Sequence, residues 1–228
     1  MTSQETPHAD PNTGEIASVN IGTIREVEHN GRLITTGIFK TPTTETQTVA
    51  DNHIGNDQQA DPQNHGGPHK AVYAYAEEDY AWWAEQLDTE LTPAFFGENL
   101  TVRGIDVSGA RVGDRWAIGT AVLEVSEARV PCFKLGIRTR VARIQQAFAK
   151  ADRPGAYLRI IEPGALTVGD KVAVTPTDDP SISVAEMASI YHRDRAGAGV
   201  LLDVPALSDA WRGWAAETMA RHAGDTAS

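Results

Sequence analysis

The pattern of apolar and polar positions divides the chain into a long β-rich part and a short helical part. The segment "IASVNIGTIREV", from Ile16, is rich in β-branched residues and is followed by a turn at "HNG", which predicts a hairpin reaching about Leu33. The stretches "ITTGIFK", "TQTVADNHI" and "KAVYAY" predict further strands. Later, "ARVGDRWAIGTAVLEVSE" and "ALTVGDKVAVTPT" each place Val-Gly-Asp before an alternating run, and "GAYLRIIEPG" predicts one more strand.

Two helices interrupt these strands. In "EEDYAWWAEQL", apolar residues recur at i, i+3, i+4 and i+7 from Tyr80, and acidic residues occupy the first turn. The spacing of Val141, Ile144 and Phe148 predicts the second helix. Many short strands with only two inserted helices predict a mainly β, α+β fold with a curled sheet or barrel, and not alternating βαβ units.

The strand pattern stops at Pro180. Ser183 and Glu186 have the spacing of a capping box, "AGAGVLLDVP" predicts a short second helix, and a third helix begins near Ser208. The sequence therefore predicts a flexible tail (1–14), a β-barrel domain (15–178) and a small three-helix C-terminal region (181–223). A bundle of about 40 residues rarely stabilises its own core, so we expect these helices to dock on the barrel.

Composition narrows the class of protein. With 228 residues and 41% hydrophobic content, the chain can form one good core with a small appendage. Its formal net charge of −11 argues against a large surface for nucleic acid but permits a local basic pocket for a small anion. The N-terminal sequence resembles neither a signal peptide nor an anchor, and no apolar run approaches the roughly 20 residues that span a bilayer. We expect a cytoplasmic protein that binds neither nucleic acid nor membranes.

The single cysteine, Cys132, lies in "EVSEARVPCFKLGIRT" among Arg129, Lys134 and Arg138. Most lone cysteines are small buried apolar residues. Here Pro131 favours the first position of a helical turn, so the thiol would lie near a helix N-terminus where nearby cations favour the thiolate. A thiolate can attack a substrate or bind a metal. Zinc is disfavoured because tetrahedral sites need three or four protein ligands and the chain has no Cys-x-x-Cys spacing, whereas a metal whose other ligands come from a cofactor agrees with one thiolate.

Two other stretches could contribute to a site. In "NHGGPHKAVYAY", Gly66 and Gly67 would let the backbone approach a ligand, and His65 and Lys70 could supply charge or hydrogen bonds. In "FFGENLTV", the Glu-Asn pair leads into a strand, which predicts polar side chains at a strand mouth. Ordinary turns explain the first stretch somewhat better than a site does, and the second nearly as well.

Together, "QADPQNHGGPHKAVYAY", "FFGENLTVRGI", "VGDRWAIGTAVLEVSEARVPCFKLGIR" and "RPGAYLRIIEPG" resemble a MOSC domain of the YiiM type, and "SISVAEMASIYHRD" is similar to the start of its three-helix C-terminal region. The resemblance covers about residues 15–222. It implies a β-barrel that binds the molybdenum cofactor, a pterin with a dithiolene and a phosphate, and gives the metal one cysteine thiolate. The family also resembles the mitochondrial amidoxime-reducing component.

The resemblance implies a reductase of N-hydroxylated compounds such as 6-hydroxylaminopurine, which removes the N-bound oxygen in a two-electron reaction at molybdenum. An external electron-donor protein would be required, and a homodimer stays open. Cys132 would be the metal ligand and, with Asn99 and Arg129, form the catalytic set. The residues implied for cofactor binding are His65, Gly66, Gly67, Lys70, Asn99, Thr101, Arg129 and Lys134.

Three alternatives stay open. MOSC domains also occur fused to cofactor sulfurases, so Cys132 could carry sulfur as a persulfide in a carrier or transfer module, although the chain shows no pyridoxal-phosphate domain. A metal-free thiol hydrolase with His65 as base, or a redox sensor, is the second alternative. The third concerns the C-terminal helices, which would either form a wall of the substrate cleft beside Cys132 or recruit the electron donor.

Overall fold

Seven strands close into a barrel in the computed structural model, which describes residues 12–62 and 66–225. The strands are β1 (Thr13–Ile21), β2 (Arg25–His29), β3 (Arg32–Thr36), β4 (Thr41–Thr43), β5 (Gln47–Ala50), β6 (His53–Ile54), β7 (Val72–Ala76), β8 (Leu100–Arg103), β9 (Arg115–Ile118), β10 (Ala121–Ala128), β11 (Ala156–Glu162), β12 (Gly164–Leu166) and β13 (Lys171–Thr175). Around the barrel the order is β13-β9-β10-β11-β7-β8-β1, and β1 pairs again with β13. The predicted α+β barrel is therefore confirmed.

Alternating side chains build the barrel interior. In β9, Trp116 and Ile118 are fully buried, whereas Arg115 and Ala117, which alternate with them, are exposed. This two-residue period is what a strand with one face on a core requires. The neighbouring barrel strands are antiparallel except for β7 and β8, which are parallel and joined by a helical crossover. β4 extends the sheet beside β1, and β12, β5 and β6 form a small separate sheet.

The first predicted hairpin has the right turn and the wrong first strand. β2 and β3 form the hairpin, and its turn contains Asn30 at φ 51° and Gly31 at φ 73°. Two positive φ values in a two-residue turn match the twist of the flanking strands. β1 is instead a barrel strand that ends at Ile21. Of the predicted flexible tail, 1–11 lie outside the described residues, and Thr13 and Gly14 belong to β1.

Three helices on one side of the barrel enclose a second, aromatic core. They are α1 (Glu77–Leu87), α2 (Phe133–Thr139) and α3 (Ile144–Lys150), of which the sequence predicted α2 only as a helical turn at Cys132. A 3₁₀ turn covers Pro68–Lys70. The aromatic core contains Tyr73, Tyr75, Tyr80, Trp83, Phe96, Leu135, Ile144 and Phe148. Because Leu135 of α2 is fully buried in it, this core fixes the helix that follows Cys132.

The C-terminal helices pack on the barrel. They are α4 (Val184–His192), a 3₁₀ helix (Arg195–Asp203) and α5 (Asp209–Asp225). The predicted capping box is confirmed, since Glu186 N donates to Ser183 Oγ at 3.2 Å and Ser183 N to Glu186 Oε2 at 3.0 Å. Buried residues of these helices belong to the same core cluster as the barrel residues. At their contact with β10, Ala128 N donates to the sulfur of Met187 at 3.4 Å.

Candidate functional site

A cavity of about 670 Å³ opens beside the end of β10 and the start of α2. This volume includes space that is open to solvent. Its lining includes the thiol of Cys132, the basic side chains of Lys40, Lys70, Arg129 and Lys134, the rings of Tyr73 and Tyr157, and Asn99. Residues 57–61 line another side of the cavity. The four basic side chains outnumber the two acidic ones of the lining, Asp57 and Asp61, and this local excess of positive charge suits an anionic ligand in a chain whose net charge is negative.

Cys132 is the N-cap of α2 and has extended backbone angles (φ −109°, ψ 172°). Its carbonyl accepts a hydrogen bond from Leu135 N at 3.0 Å, and the residue is partly exposed. The prediction that the thiol lies at a helix N-terminus is confirmed. Pro131, however, precedes the N-cap, so its predicted place at the first helical position is wrong. Because the helix dipole and nearby cations favour negative charge, this position favours the thiolate.

Arg129 is buried beside Cys132 and is held on several sides. Its Nη1 donates to the carbonyl of Phe96 at 2.6 Å, and its guanidinium carbon lies 4.7 Å from the ring centroid of Tyr73 and 5.5 Å from that of Phe148. An arginine keeps its charge when buried. The structure therefore places a fixed cation that interacts electrostatically with the thiol group of Cys132.

Lys70 enters the cavity from the 3₁₀ turn. Its Nζ lies 3.3 Å from Glu127 Oε1 and 6.0 Å from the ring centroid of Tyr157. Gly66 and Gly67 precede this turn but do not line the cavity. Gly67 has φ 84°, which glycine adopts without strain, and its N–H donates to Gln59 Oε1 at 3.1 Å. Its role is therefore to shape the turn. His65 lies outside the described residues.

Asn99 lines the cavity, but its amide group also connects three strands. Its Oδ1 accepts from Tyr73 N at 3.1 Å, and its Nδ2 donates to the carbonyl of Asn20 at 3.3 Å. Thr101 is buried, does not line the cavity, and donates to Glu98 Oε1 at 3.0 Å. Asn20 Nδ2 lies 3.4 Å from Thr101 Oγ1. The structure thus brings Asn99 to the cavity and leaves Thr101 behind the wall.

The sequence predicted polar side chains at the mouth of β8, and of the Glu98–Asn99 pair only Asn99 lines the cavity. Glu98 is fully buried, and its Oε1 accepts hydrogen bonds from Ala94 N at 2.7 Å, from Thr101 and from the hydroxyl of Tyr80. Burial, followed by the charge of Glu98, raises the pKa of Tyr80 well above its ordinary value. Because a buried carboxylate needs such donors, Glu98 organises the turn behind the cavity and leaves Asn99 to face it.

Sequence reasoning missed the ion pair between Lys40 and Asp57. Both side chains are buried and line the cavity, and Asp57 Oδ1 also accepts from Gly22 N at 2.8 Å. Burial lowers the pKa of Lys40, although Asp57 opposes this change. The two residues are 17 positions apart, and neither belongs to a recognisable motif. The one local signal in the sequence was Lys40 itself, a charged residue directly after the apolar run "GIF".

Tyr73 and Tyr157 were also missed as lining residues. Their ring centroids are 5.1 Å apart, and both side chains line the cavity. Burial raises the pKa of Tyr157 to about 12, and nearby Arg129 opposes the increase. Burial also raises the pKa of Tyr73, so both tyrosines keep their protons at neutral pH, and the Tyr73 hydroxyl donates to the carbonyl of Pro154 at 2.8 Å.

The C-terminal helices do not form a wall of this cavity. Among the described residues, Tyr157 is the last one in sequence order that lines the cavity. Ala188 and His192 of α4 instead contact a small second cavity that lies behind Arg129 and Pro131. The predicted cleft wall is therefore wrong, and these helices support the Cys132 loop from behind.

Residues 12–62 and 66–225 lack two further features. No helix in these ranges is both long and apolar enough to cross a membrane. No group of three or more histidine, cysteine, aspartate or glutamate side chains in them is arranged to hold a metal ion.

The closed barrel with its basic, thiol-containing cavity defines the chain as an α+β barrel protein. Residues 61–173 match the MOSC domain. The chain is 35% identical over 204 residues to YflK of Bacillus subtilis (strain 168), covering 86% of this chain and 90% of YflK. It is 32% identical over 162 residues to YiiM of Escherichia coli (strain K12), covering 64% and 71%. The chain belongs to the MOSC domain family and is of the YiiM type.

A solved structure and one further relative agree with this assignment. The crystal structure of YiiM from Geobacillus stearothermophilus matches with a TM-score of 0.75 and 28% identity, covering 90% of this chain and 99% of that one. A protein named Reductase from Gibberella moniliformis (strain M3125 / FGSC 7600) is 26% identical over 203 residues, which cover 85% of this chain and 35% of that protein. These findings support an oxidoreductase-type role associated with the molybdenum cofactor.

Proposed function

We propose that this protein binds the molybdenum cofactor in the cavity at Cys132 and reduces N-hydroxylated compounds to amines. The overall reaction is R–NHOH + 2 e⁻ + 2 H⁺ → R–NH₂ + H₂O, and 6-hydroxylaminopurine is the substrate class we favour. The observation that carries the proposal is the position of the one thiol in the chain, at a helix N-cap and in the wall of a basic cavity. The MOSC family and the relative named Reductase support it.

The residues present suit this cofactor. A thiolate is a good ligand for a soft metal centre, and a phosphate-bearing pterin with a dithiolene carries negative charge that the four basic side chains would attract. Lys70, Arg129 and Lys134 would hold the anionic parts, and Asn99, Tyr73 and Tyr157 would line the space for the pterin. When bound, the cofactor would supply the two-electron chemistry at its metal.

The remaining sequence-derived roles follow from position. We propose that Thr101 acts through the hydrogen-bonded framework that orients Asn99, and that Gly66 and Gly67 shape the turn that presents Lys70. His65 stays a proposed cofactor contact. Arg129 keeps the thiolate form of Cys132 favourable by its fixed positive charge. The proposal also includes an external electron-donor protein and a cytoplasmic location. A homodimer remains a hypothesis that sedimentation analysis would test.

Replacement of the thiol tests the proposal. We expect Cys132→Ala and Cys132→Ser to abolish reduction of 6-hydroxylaminopurine by dithionite-reduced viologen and to lower the molybdenum content of protein made in a molybdate-supplied host. The side chain is small and partly exposed, so both variants should fold, which circular dichroism and the melting temperature would check. Serine is the matched control because it keeps the volume of the side chain and removes the sulfur.

Three results would contradict the proposal. A folded Cys132→Ala protein with near wild-type reductase activity would exclude the thiolate as metal ligand. Wild-type protein free of molybdenum and pterin after expression in that host would favour a metal-free thiol enzyme. A persulfide on Cys132, found by mass spectrometry together with sulfur transfer and no reductase activity, would favour the carrier or sulfur-transfer function.

A further inference from the structure

The segment that follows β10 has an unusual charge. Residues 128–151 contain six of the 20 basic residues of the chain and none of its 31 acidic residues. In a chain with a net charge of −11, this segment is a local reversal of sign. It includes Cys132, α2 and α3, so the positive charge lies next to the proposed site.

The exposed basic residues of this segment lack acidic partners. Among the described residues, every ion pair uses a lysine or arginine from another part of the chain. The side chains of Arg140, Arg143 and Lys150 are exposed and make neither an ion pair nor a hydrogen bond to a described residue. We call these three residues the α2–α3 basic face. Their positive charge is available to an acidic partner.

The backbone connects this face directly to the cavity. Cys132 is the N-cap of α2 and Arg140 is its C-cap, so the two lie about 12 Å apart along the helix axis. Arg143 is the N-cap of α3, and both arginines have positive φ, 57° and 56°. Two arginines in this rarely adopted conformation turn the chain sharply between α2 and α3. A partner on this face would therefore lie close to Cys132.

An exposed aromatic residue adds an apolar contact at the start of α2. Phe133 is 47% exposed and directly follows Cys132, and its ring centroid lies 6.4 Å from that of His29 on the β2–β3 hairpin. Phe133 is the first residue of α2 and Arg140 is its C-cap, so the two residues lie at the two ends of one short helix. Protein interfaces are enriched in such aromatic residues and in arginine.

We propose that the α2–α3 basic face, together with Phe133, docks the acidic surface of a small electron-carrier protein. The proposal rests on the reductase function proposed above, which requires two electrons from a donor. An acidic protein agrees better with the face than nucleic acid does, because three exposed cations are too few to follow a phosphate backbone in a chain whose net charge is −11. The C-terminal helices are not needed for this role.

The test measures binding and electron supply separately, with the cofactor-loaded full-length protein. The probe is an acidic [2Fe–2S] ferredoxin. The double variant Arg140→Glu/Arg143→Glu reverses the face, Arg140→Lys/Arg143→Lys keeps its charge, and Lys171→Glu/Arg221→Glu makes the same charge change at exposed positions of β13 and α5. We expect the first variant to weaken ferredoxin binding by at least about tenfold at low salt, because interface charges of the wrong sign repel the partner.

Further expected results separate this inference from the proposed function. Binding of wild-type protein should weaken as salt rises, because salt screens exposed charges. The lysine variant and the β13/α5 variant should bind ferredoxin like the wild type, and all proteins should reduce substrate equally with reduced viologen. If the wild-type protein shows no viologen-driven activity, the proposed reductase function is contradicted. The ferredoxin-binding measurement would still decide whether the α2–α3 basic face is a docking surface.

Several outcomes would overturn the inference. Equal ferredoxin binding by the reversed and wild-type proteins would do so, as would equal weakening by the β13/α5 variant, which would indicate a general charge effect. Binding of a short single-stranded RNA that the reversal abolishes, without binding of ferredoxin, would assign the face to nucleic acid instead.

Discussion

The buried ion pair between Lys40 and Asp57 allows a quantitative prediction. Asp57→Asn removes the carboxylate charge and keeps the size of the side chain. Lys40 would then be a buried ammonium group without its partner, in the wall of the cavity. We expect a substantial loss of folding free energy at pH 7, and we expect the double variant Lys40→Met/Asp57→Asn to recover most of it.

The structure sets the size of this loss. Removal of one partner from a buried ion pair costs about 3–5 kcal/mol. The side chains of Lys40 and Asp57 are only 9% and 2% exposed, so water screens the charges little. Asparagine retains an oxygen that can accept the hydrogen bond from Gly22 N, now 2.8 Å long, which favours the lower end of the range. We therefore expect about 3 kcal/mol, or roughly a 150-fold change in the folding equilibrium.

Urea unfolding of the full-length protein, followed by tryptophan fluorescence at several pH values, measures this loss. Burial already lowers the pKa of Lys40 below the ordinary value of 10.5, and loss of Asp57, which opposes this change, should lower it further. Between the folded-state pKa and 10.5, the unfolded chain binds more protons than the folded one, so stability rises with pH in that interval. The deficit of Asp57→Asn should therefore be largest near pH 7 and shrink towards pH 10.

Two results would refute this reasoning. A loss below about 1 kcal/mol at pH 7 would show that the pair behaves as an exposed ion pair. A deficit that stays constant from pH 7 to pH 10 would show that the ammonium group of Lys40 is not the source of the cost. The double-variant cycle separates the pair energy from the effect of either substitution alone.

Two further predictions follow from the cavity and the shared core. Lys70→Glu should lower the extracted pterin content more than Lys70→Ala does, because the glutamate would repel an anionic ligand. It would also place a second carboxylate beside Glu127, whose Oε1 now lies 3.3 Å from Lys70 Nζ. Equal pterin content in both variants and the wild type would contradict this. Truncation after Pro180 should give protein that aggregates or lacks a cooperative thermal transition, because Met187, Leu201 and Ala215 are fully buried in the barrel's own core cluster; a monomeric truncated protein with a sharp transition and normal cofactor content would contradict it.

The sequence predicted the barrel and the position of the thiol well, because both depend on local patterns. Alternation in β9 and the Ser183–Glu186 spacing are short-range signals, and the structure contains both features. The α2 helix was predicted only as a turn at Cys132, because seven residues with a central glycine, "FKLGIRT", are too short for a clear helical period. Leu135 fixes this helix by packing into the aromatic core, which local propensity does not reveal.

The cavity wall was harder to predict because its residues come from distant parts of the chain. Lys40 and Asp57 meet only after the strands have assembled, and no motif links them. Asn99 and Thr101 are two positions apart on the same sequence motif, yet Asn99 faces the cavity and Thr101 does not line it. Proximity in a motif therefore did not imply a common environment. The exposed side chains of Arg140 and Arg143 show the reverse case, since their charge could be read from sequence but their lack of acidic neighbours could not.

Closure of the barrel between its first and last strands has a consequence for synthesis of the protein. Thr13 pairs with Ala173, and the residues that line the cavity extend from Thr36 to Tyr157. Contacts so far apart in sequence form slowly, because a long loop must close before they gain energy. A nascent chain on the ribosome cannot complete the ring until β13 has emerged. Assembly of the closed barrel is therefore a late event, and any helper that delivers a ligand to it must act after β13 has emerged.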